Sequence, residues 1–227
     1  ISTDGVNNDS KSISNYVNAE ANFDNRYIVN VSAAMDASSR FGNEIQGSLN
    51  MFGQSWGIFP SVNAAWIMSS ESFMKNLNFL NLVKWRIGYG ITGNDNIPDY
   101  QTLAYFSAIR FKGVSNGVVL SQLANPTIQW ETTNRANIGL DLNLFNERIS
   151  VSVDAYSSVT NNLLVQKVLP EIVGLQSYWT NSGSLSNNGI EASFLAKVLN
   201  YKKFNWEVGA SVGHYLNRIK SLPNGDI

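Results

Sequence analysis

The chain has 227 residues, of which 15% are charged and 11% are aromatic, and its formal net charge is −1. This balance excludes the basic footprint of a nucleic-acid-binding protein, and the lack of cysteine excludes disulfide frameworks, thiolate zinc sites and cysteine nucleophiles. No apolar run of about 18 residues offers a transmembrane helix. Residues 1–13 lack the features of a signal peptide, so we expect the chain to come from the middle of a longer polypeptide.

Alternation of apolar and polar residues predicts antiparallel strands in the first half of the chain. The turn Asp24-Asn25-Arg26 joins the first two strands, because Asx residues favour tight reversals. Residues 37–59, rich in Gly and Ser, predict a long outer loop that ends at Pro60. A helical turn is expected at residues 70–77, with Ser70 as its N-cap, and residues 93–126 are expected to form the longest irregular segment. The strands predicted in this half are residues 12–23, 27–36, 61–69 and 82–92.

The clearest hairpin is predicted at residues 128–159, around the turn Asn146-Glu147-Arg148. Ile138, Leu140 and Leu142 mark its apolar face, and amides, carboxylates and hydroxyls fill the other. Another loop (160–184) and a last hairpin follow, the latter with strands at residues 188–199 and 204–217. Eight strands with alternating short and long connections indicate an antiparallel transmembrane β-barrel, in which short turns face the periplasm and long loops face outwards.

Six blocks of the sequence closely resemble the SusC/RagA-type TonB-dependent transporters of Bacteroidetes, in the same order and at similar spacing. The blocks are DASSRFG (36–42), FPSVNAAW (59–66), SSESFMK (69–75), KWRIGYGITGNDNIPDY (84–100), NPTIQWETTNRANIGLDLNLFNERISVSVDAY (125–156) and NNGIEASF (187–194). The resemblance implies a bacterial outer-membrane barrel of about 22 strands around a plug domain. Some eight of those strands would lie in this chain, whereas the plug, the TonB-contacting segment and the final strand would lie outside it.

The same resemblance implies the function of the whole protein, which would be transport and not catalysis. The barrel would import oligosaccharides or peptides together with a SusD-like surface lipoprotein that covers its opening, driven by TonB through the N-terminal part. Its outer wall would contact lipid, and no nucleic acid would be bound.

Two groups of side chains are candidate site residues. Rings of the expected outer loops could stack on sugar rings or peptide side chains, or could pack loops and the lid partner together. These rings are Phe52, Trp56, Tyr100, Tyr105, Phe106, Tyr178 and Trp179. Charged residues on the polar strand faces could line the translocation path, or could hold the plug by ion pairs. They are Glu20, Arg86, Asp141, Asp154, Glu191 and Lys197.

Three further motifs give weaker indications of chemistry. Residues 88–93 fit G-x-G-x-x-G, but a turn sequence follows where a dinucleotide site requires a helix. His214 is the single histidine, and no G-x-S-x-G elbow accompanies it, so we expect no enzyme. Asn94, Asp95 and Asp99 gather oxygen atoms in one loop, where a calcium site is an alternative to an ordinary Asx-rich turn. We therefore expect no cofactor.

Three alternatives to the importer stay open at the level of the sequence. A SusC-like barrel could serve as a structural scaffold in a larger outer-membrane assembly. Eight strands could also close into a small barrel by themselves. A soluble β-sandwich would instead bury its apolar strand faces against a second sheet.

Overall fold

The structure is a computed structural model that describes residues 9–42, 45, 48–111 and 115–223. These residues form thirteen β-strands and three short 3-10 turns at Met68–Ser70, Ser72–Met74 and Glu171–Val173. The strands are β1 (Ser12–Phe23), β2 (Tyr27–Ser38), β3 (Leu49–Met51), β4 (Gln54–Ile67), β5 (Leu80–Asn94), β6 (Tyr105–Phe111), β7 (Ser115–Gln122), β8 (Glu131–Leu144), β9 (Ile149–Asn161), β10 (Leu164–Val168), β11 (Ser177–Asn181), β12 (Ser184–Tyr201) and β13 (Phe204–Ser221). No helix among these residues is long and apolar enough to cross a membrane.

Eight long strands follow one another in a single antiparallel sheet, in the order β1-β2-β4-β5-β8-β9-β12-β13. This order confirms the predicted eight-stranded antiparallel architecture. The short connections lie at one end of the sheet, where Asp24 and Asn25 turn the chain with positive φ angles of 54° and 52°. Asx residues tolerate this left-handed conformation well, which is why the first turn could be predicted from its residues.

The long connections contain strands where the sequence predicted only loops. In the first connection β3 pairs with the start of β4, and β6–β7 and β10–β11 form separate two-stranded ribbons in the others. Pro60 lies inside β4 and not before it. Its Cα faces Ala33 of β2, whereas the pairing of β4 with β5 begins only at Ser61. A proline is tolerated there because its missing N–H faces no partner strand on that side.

Cross-strand register sorts the side chains of the sheet into an apolar and a polar face. One apolar row runs from Tyr27 through Trp66 and Trp85 to Leu140 and Val153. We call this side of the sheet the outer face. Its large side chains are uncovered, and in the neighbouring row Ile87 is 60% exposed. A soluble protein avoids an apolar patch of this size, so the outer face needs an apolar partner.

Two of the alternatives raised by the sequence are wrong for the described part of the chain. A β-sandwich needs a second sheet on the apolar face, but the two small ribbons are the only other sheets described. A small closed barrel needs β1 to pair with β13, but both are edge strands of the open sheet. The sheet is therefore a segment of wall with two unpaired edges.

Aromatic side chains at the end with the short turns are held by one carboxylate. Glu71 accepts hydrogen bonds from the Tyr27 hydroxyl at 2.6 Å and from Trp66 Nε1 at 3.2 Å, and Arg26 Nη1 lies 3.3 Å from its Oε2. The rings of Tyr27 and Trp66 are stacked, with centroids 6.4 Å apart. Glu71 precedes the second 3-10 turn, whereas Ser70 belongs to the first and makes no capping hydrogen bond. The expected Ser70 cap is therefore wrong.

Replacing Glu71 with Gln should make stability depend on pH in a defined direction. The hydroxyl of Tyr27, followed by the indole of Trp66, holds the pKa of Glu71 below its ordinary value of 4.5. A lowered pKa in the folded state stabilises the protein above the unfolded value, and this stabilisation is lost as the pH falls through the folded value. Urea unfolding of the full-length protein in detergent measures this effect. The free energy of unfolding of the wild type should exceed that of Glu71→Gln by its full amount near neutral pH, and this difference should shrink below about pH 4.5. A pH-independent difference would contradict this.

The long connections share a small hydrophobic core at the opposite end of the sheet. Ile128 is fully buried beside Phe41, Ile45 and Ile97. Three partly buried side chains from two neighbouring connections pack against this cluster: Trp130, Leu164 and Trp179. We call this cluster the outer core. Because its members come from three different connections, it joins them into one folded cap.

Truncating Ile128 to Ala should destabilise the cap by about 2–5 kcal/mol, since the cavity lies in a fully enclosed site. Ile172 provides a matched control, because it is 95% exposed and its truncation should change stability by no more than about 0.5 kcal/mol. Hydrogen exchange of the full-length protein should show faster exchange in β10 and β11 for Ile128→Ala only. Equal effects of the two substitutions would refute the outer core.

Candidate functional site

An ion-pair network on the polar face joins three neighbouring strands. Arg86 of β5 donates from Nε and Nη2 to the two carboxylate oxygens of Asp141 on β8, at 2.8 and 2.9 Å. Its Nη2 also contacts Asp154 of β9, 3.1 Å from Oδ2. Ser152 donates to Asp141 at 2.8 Å and completes the network. A bidentate guanidinium–carboxylate pair fixes both partners in geometry, so Arg86 is held tightly against the wall.

Gly139 of β8 provides the space that this network needs. It lies between Arg86 and Asp154 in the cross-strand register. A Cβ at this position would approach Asp154 Oδ1 to 2.4 Å and Arg86 Nη2 to 2.7 Å. The guanidinium therefore crosses the wall directly above the glycine, and this close approach accounts for a Gly in the middle of a strand.

The remaining charged residues predicted to face the lumen do not join the network. Glu191 of β12 lies opposite Asp154 in the register, and Ser193 and Gly213 line the same shallow polar hollow. Glu20 is exposed on the edge strand β1. Lys197 lies beside a bulge of β12, and its backbone N–H donates to the carbonyl of Arg148. The structure thus brings together three of the six: Arg86, Asp141 and Asp154.

The candidate aromatic residues divide into packed and exposed side chains. Trp56 is not in a loop, because it lies in β4, is 6% exposed and donates from Nε1 to the Met51 carbonyl. Trp179 of β11 packs against the outer core. By contrast, Phe52 at the β3–β4 turn is 92% exposed. Three further rings are exposed, namely Tyr100 and, on β6, Tyr105 and Phe106. Tyr178 of β11 is half-buried.

These positions change which rings remain suitable for ligand contact. Trp56 and Trp179 already contribute to packing, because their indoles have protein neighbours on the buried side. Phe52, Tyr105 and Phe106 present open ring faces. Their role in binding stays a prediction.

The Asx-rich loop considered for calcium is tied to an arginine. Arg40 Nε donates to Asp99 Oδ1 at 2.8 Å, and Arg40 Nη1 lies 3.7 Å from Asp95 Oδ2. The hydrogen bond to Asp99 raises the pKa of Arg40. Asn94 donates instead to Glu131 at 3.1 Å. The carboxylates of this loop thus have a cationic partner within the protein, and the expectation that the chain binds no cofactor stays a prediction.

The weaker motifs lie in regular strands. Residues 88–93, with the G-x-G-x-x-G pattern, fall inside β5 and are not followed by a helix in the structure. A Cβ at Gly88 would meet the side-chain oxygens of Asn63 and Asn137 at 2.5 and 2.7 Å. This glycine therefore relieves crowding on the polar face. His214 belongs to β13 and lies opposite Ile190 of β12.

Two residues of the polar face were not singled out by the sequence analysis. The guanidinium carbon of Arg135 lies 4.6 Å from the centroid of the Tyr156 ring. Both side chains belong to the polar face, because Arg135 is in phase with Asn137 and Asp141 along β8. The alternation that starts at Asn137 could have been followed backwards to Arg135, but the apolar positions there are too weak to make the phase obvious.

Comparison with known proteins places the chain in a family. Residues 2–225 match the family model described as TonB dependent receptor-like, beta-barrel. The chain belongs to this family. It is a family of transport proteins and not of enzymes. The membership confirms the resemblance and the fold class inferred from the sequence.

Individual relatives agree with this membership. TonB-dependent receptor P39 of Formosa agariphila is 35% identical over 211 residues, which cover 93% of this chain and 20% of the relative. TonB-dependent receptor SusC of Bacteroides thetaiotaomicron is 32% identical, over 89% of this chain and 20% of the relative. The chain thus spans about a fifth of the length of these curated relatives.

Solved structures give the same fold. A structure of the RagAB peptide transporter superimposes with a TM-score of 0.85 at 27% identity, over 95% of this chain and 23% of that one. The RagAB peptide importer in the open-open state gives a TM-score of 0.81 at 28% identity, over 94% of this chain and 22% of that one. The open sheet therefore corresponds to part of a larger barrel wall.

Substituting Gly139 with Ala should destabilise the full-length protein by about 1–3 kcal/mol, because the new methyl group displaces Arg86 and Asp154. Gly213 is the matched control in the same cross-strand row. A Cβ there meets its nearest atom, Glu191 Cγ, at an ordinary 3.5 Å. Chemical unfolding in detergent should show little effect of Gly213→Ala. When Arg86 is also replaced by Gln, Gly139→Ala should lower the free energy of unfolding by less than it does in the wild type. An unchanged loss of stability would show that the methyl group acts on something other than the network.

Proposed function

We propose that this chain forms part of the barrel wall of a TonB-dependent importer in the bacterial outer membrane. The observation that carries the proposal is the two-faced sheet, with an uncovered apolar outer face and a polar face crossed by the Arg86 network. A lipid bilayer supplies the apolar partner that the outer face needs, and a wet lumen suits the polar face. The family membership supports the same assignment.

The solute that we propose is a peptide or an oligosaccharide, captured with a SusD-like surface lipoprotein. The peptide alternative is supported by the likeness to the RagAB peptide transporter. Exposed rings at the outer end, such as Phe52 and Phe106, suit either solute because ring faces stack on sugars and on peptide side chains. TonB would act through a segment outside this chain and rearrange the plug, so that the captured solute enters the lumen.

Purification of the full-length protein from native outer membrane in mild detergent tests the assembly. A lipoprotein should co-purify in a stoichiometric amount, and urea should not extract the barrel from the membrane without detergent. Extraction by urea alone would reject the membrane-spanning wall.

Uptake measurements separate an importer from a scaffold. Cells with the full-length protein should accumulate a labelled peptide or oligosaccharide mixture, and both loss of the gene and loss of TonB should abolish that uptake. Normal uptake in both mutants, with a disrupted outer-membrane assembly in the gene mutant, would favour the scaffold.

A further inference from the structure

Three residues on neighbouring strands form a layered stack on the polar face. Gly189 of β12 pairs with Tyr156 of β9, and a Cβ at Gly189 would meet the Tyr156 ring at 2.5 Å. The ring therefore lies flat against the wall. The guanidinium of Arg135 on β8 stands 4.6 Å from the centroid of the same ring. An arginine stacked on an aromatic ring keeps its N–H donors in the plane of the guanidinium, where they can still bind a partner.

Arg135 has no hydrogen-bond or ion-pair partner among the described residues, and it is exposed. The nearest carboxylate in phase along β8 is Glu131, and its two oxygens accept from Asn94 and from the backbone N–H of Leu164. Farther along the strand, Asp141 is bound by Arg86. In the described part of the chain the N–H donors of Arg135 thus have no partner, whereas Nε and Nη2 of Arg86 bind carboxylates.

The position of Arg135 in the wall favours contact with a group that enters from outside. It is the fifth residue of β8, close to the long connections. Gly139, which lies beneath Arg86, is four residues farther along, roughly 13 Å nearer to the short turns. The residues opposite Arg135 in the register are uncharged, namely Gly90 on β5 and Ser158 on β9. A single unpaired cation in an uncharged surrounding makes a directional site for an anion.

We propose that Arg135, held by Tyr156 above Gly189, binds a carboxylate in the outer half of the lumen. The guanidinium matches a carboxylate in a bidentate geometry, which gives the site its chemical preference. The carboxylate belongs to the solute, as in an acidic peptide or a uronic-acid oligosaccharide, or to an acidic side chain of the plug. The inference rests on the proposed function, because it needs the polar face to line a lumen.

Binding of matched solutes to the full-length protein, with its lipoprotein partner where one co-purifies, tests the solute source. The probes are a fluorescent glutamate-rich pentapeptide and its glutamine counterpart, and an oligogalacturonate and its methyl ester. Arg135→Gln should lower the preference for the acidic member of a pair about tenfold, the effect of losing one charged hydrogen-bonded contact. Arg135→Lys should restore only part of it, since an ammonium lacks the planar fork.

Control variants separate the stack from general charge and folding. Tyr156→Phe keeps the ring and should keep the preference, whereas Tyr156→Leu removes the support and should weaken it. Arg148→Gln removes the same charge in an exposed turn at the other end of the wall and should change nothing. A loss of preference that is equal in Arg148→Gln and Arg135→Gln would overturn the proposal.

Hydrogen exchange of the solute-free full-length protein tests the plug source. If Arg135 holds a plug carboxylate, Arg135→Gln should speed exchange in one plug segment, and Arg148→Gln should not. Failure of the wild type to bind any probe would count against the proposed import. The exchange measurement alone would then show whether Arg135 binds a carboxylate. Unchanged solute preference together with unchanged plug exchange would overturn the inference.

Discussion

The two-residue period of the β-strand is the constraint on which the rest of this structure depends. It gives every long strand two faces, and the antiparallel register aligns those faces across eight strands. A shift of one residue in β8 would exchange Asp141 with Leu140 or Leu142, and would place a carboxylate on the uncovered apolar side. Both the outer face and the Arg86 network therefore depend on one register, which the apolar surroundings enforce.

Glycines on the polar face leave space in which long side chains can lie against the wall. Without that space the side chains would project into the lumen. Arg86 crosses Gly139, and Tyr156 lies on Gly189. In both cases a glycine on a neighbouring strand lacks a Cβ, and the space that this leaves lets the long side chain lie flat. A Cβ at Gly90, in the row of Arg135, would have Ser61 and the Pro60 carbonyl as its nearest neighbours. The wall thus holds one arginine as a cross-link and presents the other to the lumen.

The sequence predicted the parts of the fold that have a strong period and missed those that have none. The hairpin of β8 and β9 was predictable because Ile138, Leu140 and Leu142 lie on the apolar face and Asp141 lies on the polar face. The ribbons β6–β7 and β10–β11 were read as loops, because a two-stranded ribbon with both faces partly exposed imposes no clean alternation on its residues. Trp56 was placed in a loop for the same reason, since its strand begins among Gly and Ser residues.

The candidate site shows the same limit at the level of single side chains. Alternation placed Arg86, Asp141 and Asp154 on the polar strand faces, but a sequence does not reveal which charges neutralise one another. Phase alone makes Arg86 and Arg135 equivalent, as both are polar-face arginines near glycines. The difference comes from long-range pairing: two carboxylates of β8 and β9 lie within reach of Arg86, whereas the one in phase beside Arg135 is bound to Asn94 and Leu164. The guanidinium of Arg86 therefore links neighbouring strands, whereas that of Arg135, unpaired among the described residues, is available to a carboxylate of a solute or of the plug.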